Sequence, residues 1–222
     1  MNLCLFDLDH TLLPLDSDHE WGQFMVRIGW ADAGEFKRRN DEFYRHYQEG
    51  VLDPHAYIEF ATGVWRSRPP EEQEKARQRF MREVIEPALQ PQARSLVEQH
   101  RERGDLIALV TATNDFITSP IAEAFGIEHL LAVQLERDLH GRVTGHIRGT
   151  PSFREGKVTR VDEWLADLGH RWSDFPGVSF YSDSMNDLPL LERASDPVAT
   201  NPSLPLEALA RARGWRILNL FA

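Results

Sequence analysis

Short apolar runs bounded by turn residues recur along the chain and predict strands. They cover residues 3–6, 106–110, 130–135, 178–181 and 215–218. A continuous apolar run of this length is typical of a strand buried on both faces of a parallel sheet. Between the runs, residues 91–103 and 115–125 have the apolar period of helices. This alternation predicts an α/β fold with a doubly wound, Rossmann-like parallel sheet.

One segment breaks the alternation. Residues 16–87 contain no convincing strand and are rich in helix formers and aromatic side chains. We therefore predict a helical cap domain at 16–87, inserted after the first strand of an α/β core domain formed by residues 1–15 and 88–222. Most of the aromatic side chains are expected to form the core of the cap. A further hypothesis is that some of them, such as Trp21 and Phe24, line a pocket at the cleft between the two domains.

Composition narrows the class of protein. The chain has 222 residues and a formal net charge of -10, which disfavours nucleic acid as the main partner. The single cysteine, Cys4, cannot form an internal disulfide bond. No apolar stretch has transmembrane length, and the N-terminus lacks the basic and apolar regions of a signal peptide. The expected location is the cytoplasm, and both a monomer and a homodimer are compatible with the sequence.

Reactive side chains follow the ends of several predicted strands. Carboxyl ends of parallel strands meet at one edge of the sheet, where α/β proteins bind their ligands. Asp7 and Asp9 lie two residues apart after the first run, so on a continued strand they would point the same way. The other candidates at this edge are Thr111, Lys157, Asp183 and Asp187. Each alone is weak evidence, but their joint occurrence predicts a site.

The charge of this set indicates a metal. Four carboxylates and one lysine sum to about -3 when all are ionised, and such a cluster repels a phosphate anion. A bound Mg²⁺ would neutralise most of that charge. Oxygen ligands suit Mg²⁺ better than zinc, which favours histidine and cysteine. The cluster therefore favours metal-assisted phosphoryl transfer, with one carboxylate available to attack phosphorus.

The motifs resemble those of the haloacid dehalogenase superfamily. The residues that carry the resemblance are Asp7-Leu8-Asp9-His10-Thr11, a hydroxyl at Thr111, Arg154-Glu155-Gly156-Lys157 and Ser182-Asp183-Ser184-Met185-Asn186-Asp187. The helical insertion after the first motif resembles the phosphoserine phosphatase branch. The match runs through the whole chain in order, and the four motifs together are specific.

The resemblance implies an aspartyl-phosphate mechanism with Mg²⁺. Asp7 would be the nucleophile and a metal ligand. Asp9 would protonate the leaving group and then activate water, while its backbone carbonyl reaches the metal. Asp183 would ligate the metal, and Asp187 would contribute a second carboxylate, directly or through water.

Further residues are implied to contact the phosphate or the rest of the substrate. Thr111 would bind a phosphoryl oxygen, and Lys157 would neutralise charge on the phosphate and on Asp7. Asn114 and Asn186 are candidates for substrate contacts. Asp16 aligns with the glutamate that holds the substrate amine in phosphoserine phosphatases, although capping of a helix explains this residue equally well.

The substrate is expected to be a small phosphomonoester. Phosphoserine and histidinol phosphate are both candidates, since each pairs a phosphate with an amine. Thr111-Ala112-Thr113 stands where phosphoserine phosphatases usually have serine-glycine-glycine, which weakens an assignment to phosphoserine. A phosphotransferase or phosphomutase of the same superfamily is an alternative, as is a non-catalytic, Mg²⁺-binding module like a receiver domain.

Overall fold

The computed structural model describes residues 1–221 and contains a central six-stranded parallel sheet. The strands are β1 Leu3–Phe6, β2 Leu106–Asn114, β3 His129–Val133, β4 Leu135–Arg137, β5 Val143–Ile147, β6 Val178–Ser182, β7 Asp196–Thr200 and β8 Arg216–Leu218. Their order in the sheet is β3-β2-β1-β6-β7-β8, and β4 pairs with β5 in a separate antiparallel hairpin. The prediction of a Rossmann-like parallel sheet is confirmed.

Helices occupy most of the chain between the strands. They are α1 Ser17–Arg27, α2 Glu35–Gln48, α3 Pro54–Gly63, α4 Pro70–Phe80, α5 Glu86–Ala88, α6 Pro91–Glu102, α7 Asp115–Phe125, α8 Glu155–Asp167, α9 Leu188–Leu191 and α10 Leu204–Arg213. Residues 81–85 form a π-helical turn between α4 and α5. Within the described chain, residues 16–87 hold helices and no strand. The division into a core and a cap at residues 15 and 88 stays a prediction.

The structure differs from the predicted strands in two places. The apolar run at 130–135 contributes to two strands, because the chain leaves the main sheet after Val133 and β4 pairs with β5. Strand β7 was missed because Asp196 and Pro197 interrupt its apolar pattern. Proline lacks the N–H that a ladder needs, so its presence argues against a strand.

Hydrophobic side chains pack in two clusters. Alternation along β1 sends Leu5 into one cluster and Phe6 into the other. The cluster around Phe6 also contains Trp21, Phe24 and Phe80 from the helical insertion. Trp21 is 2% exposed and Phe24 is 1% exposed. These two aromatic side chains therefore belong to the core, as expected for most of the segment's aromatic residues.

Among the helices of residues 1–221, none is both long enough and apolar enough to cross a bilayer.

Candidate active site

The central position of β1 brings the candidate residues to one edge of the sheet. Phe6, at the end of β1, is in register with Leu109 of β2 and Tyr181 of β6. The residues that follow on all three parallel strands therefore emerge at the same edge. Asp7 continues the ladder by one bond, since its N–H donates to the carbonyl of Tyr181 at 2.9 Å.

A tight turn follows β1 and separates the two aspartates. The Leu8 carbonyl accepts bonds from the N–H groups of residues 11, 12 and 13. His10 has a φ of +58°, a left-handed conformation that is uncommon outside glycine. The side chain of Asn201, which follows β7, donates to the carbonyls of His10 and Thr11 at 2.9 and 3.2 Å. These bonds fix the turn in its strained conformation.

Lys157 joins two buried carboxylates. Its Nζ lies 2.7 Å from Asp7 Oδ1 and 2.7 and 2.8 Å from the two Asp187 oxygens. Ser182 Oγ donates to Asp187 Oδ2 at 2.7 Å. Burial acts to lower the pKa of Lys157, but the carboxylates of Asp187 and Asp7 outweigh it and raise that pKa. The lysine is therefore a fixed positive charge beside Asp7.

The other oxygen of Asp7 faces Asp183. Thr11 Oγ1 lies 3.1 Å from Asp7 Oδ2 and 3.3 Å from Asp183 Oδ1, so one hydroxyl sits between two carboxylates. The Asp183 N–H donates to the same Thr11 oxygen at 3.1 Å. Burial raises the pKa of Asp183, and the negative charges of Asp7 and Asp187 raise it further. A cation between Asp7 and Asp183 would relieve this repulsion.

Asp9 does not share the partners of Asp7. Its Oδ1 accepts from the Ser17 N–H at 2.7 Å, and its Oδ2 accepts from Thr113 Oγ1 at 2.8 Å. The two aspartates differ because β1 ends at Phe6, so the alternation expected of a strand does not reach Asp9. Burial, followed by the charge of Asp16, raises the pKa of Asp9 to about 6.

Thr111 is fully buried within β2. Its Oγ1 accepts from the Thr113 N–H at 3.1 Å, which leaves its own proton available to donate. No role at the site was predicted for Thr113. Its position two residues beyond Thr111 on the same strand is the sequence signal that could have identified it.

A cleft opens beside Asp9 between the sheet edge and the helical insertion. Three aspartates make the cleft acidic. Four aromatic side chains of the insertion and one phenylalanine of the core make it aromatic. The lining residues are Asp9, Asp16, Asp18, His19, Asn40, Phe43, Tyr44, Tyr47, Leu52, Pro54, Tyr57, Ile58, Ala112, Thr113, Val133 and Phe153. In the described part of the chain, this lining includes no lysine or arginine. Burial lowers the pKa of His19, which favours its uncharged form.

Three predicted substrate-contact residues have structural partners. Asp16 lines the cleft and also caps α1, since its Oδ1 accepts from the His19 N–H at 2.8 Å. Asn114 caps α7 through the Ile117 N–H at 3.4 Å and does not line the cleft. Asn186 Nδ2 donates to the Tyr47 carbonyl at 2.7 Å and thereby ties the end of α2 to the sheet edge.

Comparison with known proteins decides the family. The haloacid dehalogenase-like hydrolase family matches residues 4–192 of the chain. The chain belongs to this family. The predicted superfamily is therefore confirmed.

Named relatives agree with this assignment. A protein of Neisseria meningitidis named histidinol-phosphatase is 44% identical over 98% of both chains. Phosphoserine phosphatase SerB1 of Mycobacterium tuberculosis is 27% identical over 96% of this chain and 68% of its own length. The prediction that this hydrolase is a phosphatase is confirmed.

Two solved structures define the likeness in three dimensions. A protein of unknown function from Bordetella pertussis Tohama I has a TM-score of 0.93 and 52% identity, and the match covers 99% of both chains. A substrate-bound phosphoserine phosphatase has a TM-score of 0.68 and 19% identity, covering 98% of this chain and 92% of its own. At that identity the second comparison shows the fold alone.

Replacement of Lys157 tests the buried ion pairs. Lys157→Met keeps most of the side-chain volume but leaves Asp7 and Asp187 without their cation. We expect a loss of about 3–5 kcal/mol in the free energy of unfolding, measured by urea denaturation without added metal.

The matched control is Arg211→Met, which removes an exposed ion pair with Glu207 on α10. Its expected cost is below about 1 kcal/mol. A Lys157→Met variant as stable as this control would contradict the description of Lys157 as the charge on which the buried carboxylates depend.

Proposed function

We propose that the chain is a Mg²⁺-dependent phosphatase that forms an aspartyl-phosphate on Asp7. We further propose that its substrate is a small phosphomonoester with a cationic group and no carboxylate, for which histidinol phosphate is the first candidate. The observation that carries the substrate proposal is the acidic, aromatic cleft beside Asp9. The mechanism rests on the separate environments of Asp7 and Asp9.

The residues around Asp7 fit a magnesium ion. Asp7 Oδ2 and Asp183 Oδ1 share the Thr11 hydroxyl, and burial raises the pKa of both carboxyl groups against the opposing effect of Lys157. Within residues 1–221, no three acidic, histidine or cysteine side chains have the arrangement of a metal site. The proposed side-chain ligands are the carboxylates of Asp7 and Asp183, which the Thr11 hydroxyl brings together, and the backbone carbonyl of Asp9 is the further ligand that the family resemblance implies. When bound, Mg²⁺ would neutralise phosphate charge and polarise a phosphoryl oxygen.

Asp187 has a different proposed role. Both of its oxygens lie within 2.8 Å of Lys157 Nζ, so the carboxylate of Asp187 forms an ion pair with that lysine. We infer that Asp187 positions Lys157 and reaches the metal, if at all, only through water.

In the proposed first step, Asp7 Oδ1 attacks the phosphorus atom and the ester oxygen leaves. Asp7 Oδ1 is the oxygen beside Lys157, whereas Asp7 Oδ2 lies beside the Thr11 hydroxyl. Lys157 neutralises the charge that spreads over the phosphoryl oxygens, and the free proton of Thr111 can donate to one of them. The result is a phosphoryl group attached to Asp7 and a free alcohol.

Asp9 is proposed to handle the proton in both steps. Its pKa of about 6 allows both protonation states near neutral pH, which suits a general acid that later acts as a base. The bonds from Ser17 and Thr113 hold its carboxyl group in place. It first protonates the leaving oxygen and then takes a proton from the water that attacks phosphorus. That second step releases inorganic phosphate and regenerates Asp7.

The cleft chemistry favours a cationic substrate. Asp9, Asp16 and Asp18 would attract an ammonium or imidazolium group, and the tyrosine rings would contact its apolar surface. Phosphoserine also carries a carboxylate, which would need a cationic partner that the described cleft lining does not include. Histidinol phosphate has an amine and an imidazole but no carboxylate. The name of the Neisseria meningitidis relative supports this choice.

The two alternatives differ in their support. A receiver-like module is not favoured, because the family match over residues 4–192 is to hydrolases. A phosphotransferase would share the aspartyl-phosphate on Asp7 but would need an acceptor other than water. Release of inorganic phosphate in the absence of any acceptor separates that alternative from the proposed phosphatase.

Asp183→Asn tests the metal site by stability as well as activity. Mg²⁺ should raise the melting temperature of the wild-type protein, since it binds only the folded site. The variant should lose that increase and most of the phosphatase activity. Without Mg²⁺ it should melt no lower than the wild type, because the substitution removes a repulsive charge.

The control is Glu128→Gln, which replaces an exposed carboxylate between α7 and β3 and should retain the response to Mg²⁺. An Mg²⁺-dependent increase in melting temperature that persists in Asp183→Asn would contradict the proposed ligands. Full activity of the wild-type protein in excess chelator would contradict the need for a metal.

Substrate selectivity is tested by steady-state kinetics on paired esters. We expect the wild-type kcat/KM for histidinol phosphate to exceed that for phosphoserine by about 100-fold or more, because a buried, unpaired carboxylate costs several kcal/mol. Equal values for the two substrates, or a preference for phosphoserine, would show that the acidic cleft does not select the substrate.

A further inference from the structure

Asp18 lines the cleft and, in the described part of the chain, carries an oxygen without a hydrogen-bond partner. The residue is only 6% exposed. Among residues 1–221, its Oδ1 has no hydrogen-bond partner. Leaving a charged group buried and unpaired is costly, and such groups usually have a ligand or a functional role. Burial, and then the charges of Asp16 and Asp9, raise the pKa of Asp18 well above its ordinary value.

Asp16, in contrast, has a structural role as the N-cap of α1. Its Oδ1 accepts from the backbone N–H of His19 and so caps α1. A substrate amine at Asp16 Oδ1 would have to compete with this bond. Asp18 is more deeply buried than Asp16, and within residues 1–221 its Oδ1 accepts no hydrogen bond.

We propose that Asp18 is the specificity residue that binds the cationic group of the substrate. This inference rests on the proposed function, because it requires a phosphate ester with a positive charge. The ligand is an ammonium or imidazolium group, which would donate a charge-assisted hydrogen bond to the Asp18 carboxylate.

Aromatic side chains around Asp18 fit the same ligand. Tyr57 and Asp18 both line the cleft. The rings of Tyr57 and Phe43 lie 5.3 Å apart, and both line the cleft with Tyr44. A cation held by Asp18 would therefore lie among aromatic rings, which attract positive charge.

The competing explanation for Asp18 is purely structural. Asp18 lies in the first turn of α1, where a negative charge interacts favourably with the helix dipole. Glu20 lies in the same turn and does not line the cleft. The dipole requires neither burial nor an unpartnered oxygen. The two explanations predict opposite effects on stability, since a structural Asp18 stabilises the fold whereas a ligand-binding Asp18 costs stability until the ligand arrives.

The experiment compares Asp18→Asn with Glu20→Gln in the full-length protein with Mg²⁺. The measured quantity is the ratio of kcat/KM for histidinol phosphate to that for phenyl phosphate, which has no positive charge. We expect this ratio to fall about tenfold or more in Asp18→Asn, mainly through a higher KM for histidinol phosphate. In Glu20→Gln the ratio should match that of the wild type. The melting temperature of Asp18→Asn without substrate should equal or exceed that of the wild type.

The outcomes separate this inference from the proposed function. If the wild-type protein does not prefer histidinol phosphate to phenyl phosphate, the proposed substrate is wrong. If the wild type shows the preference and Asp18→Asn retains it, Asp18 does not bind the cation and the proposed function stands. An Asp18→Asn variant that fails to fold, or melts several degrees lower, assigns Asp18 to the fold and overturns the inference.

Discussion

The ion pairs of Lys157 with Asp7 and Asp187 are the interaction on which the site depends. They join three parts of the chain: the end of β1, the first turn of α8 and the turn after β6. The three side chains are almost completely buried, so none of these charges can be satisfied by water. The fold can hold Asp7 at the sheet edge in ionised form only because Lys157 supplies the opposing charge.

The short turn after β1 places Asp7 and Asp9 in different surroundings. Asp7 is bonded to Lys157 and to the Thr11 hydroxyl shared with Asp183, an environment for a nucleophile and a metal. Asp9 is bonded to Ser17 and Thr113 and borders the acidic cleft. The proton transfer proposed for Asp9 would therefore take place where the leaving alcohol and its cationic group would lie, away from the charges proposed to bind the phosphate.

The sheet and the charged residues at its edge could be predicted from the sequence because both depend on local patterns. Apolar runs predict parallel strands, and polar residues after such strands must meet at one edge. The separate environments of Asp7 and Asp9 could not be predicted, since these depend on where β1 ends. The cap that Asn114 provides for α7 is local, three residues along the chain, and was overlooked. The bond from Asn186 to Tyr47 and the unpartnered oxygen of Asp18 depend on packing between residues far apart in the chain, which the sequence does not reveal.

The most direct test of the mechanism is detection of the phosphoryl group on Asp7. The Asp9→Asn variant should be mixed with Mg²⁺ and an aryl phosphate whose leaving group needs no proton, then quenched in acid. Because the base for hydrolysis is missing, we expect the phosphoenzyme to accumulate. Mass spectrometry should then find one added phosphoryl group on the peptide that contains Asp7, and none when Asp7→Asn is also present. An active enzyme that acquires no phosphoryl group there, or acquires it at another residue, would contradict the account.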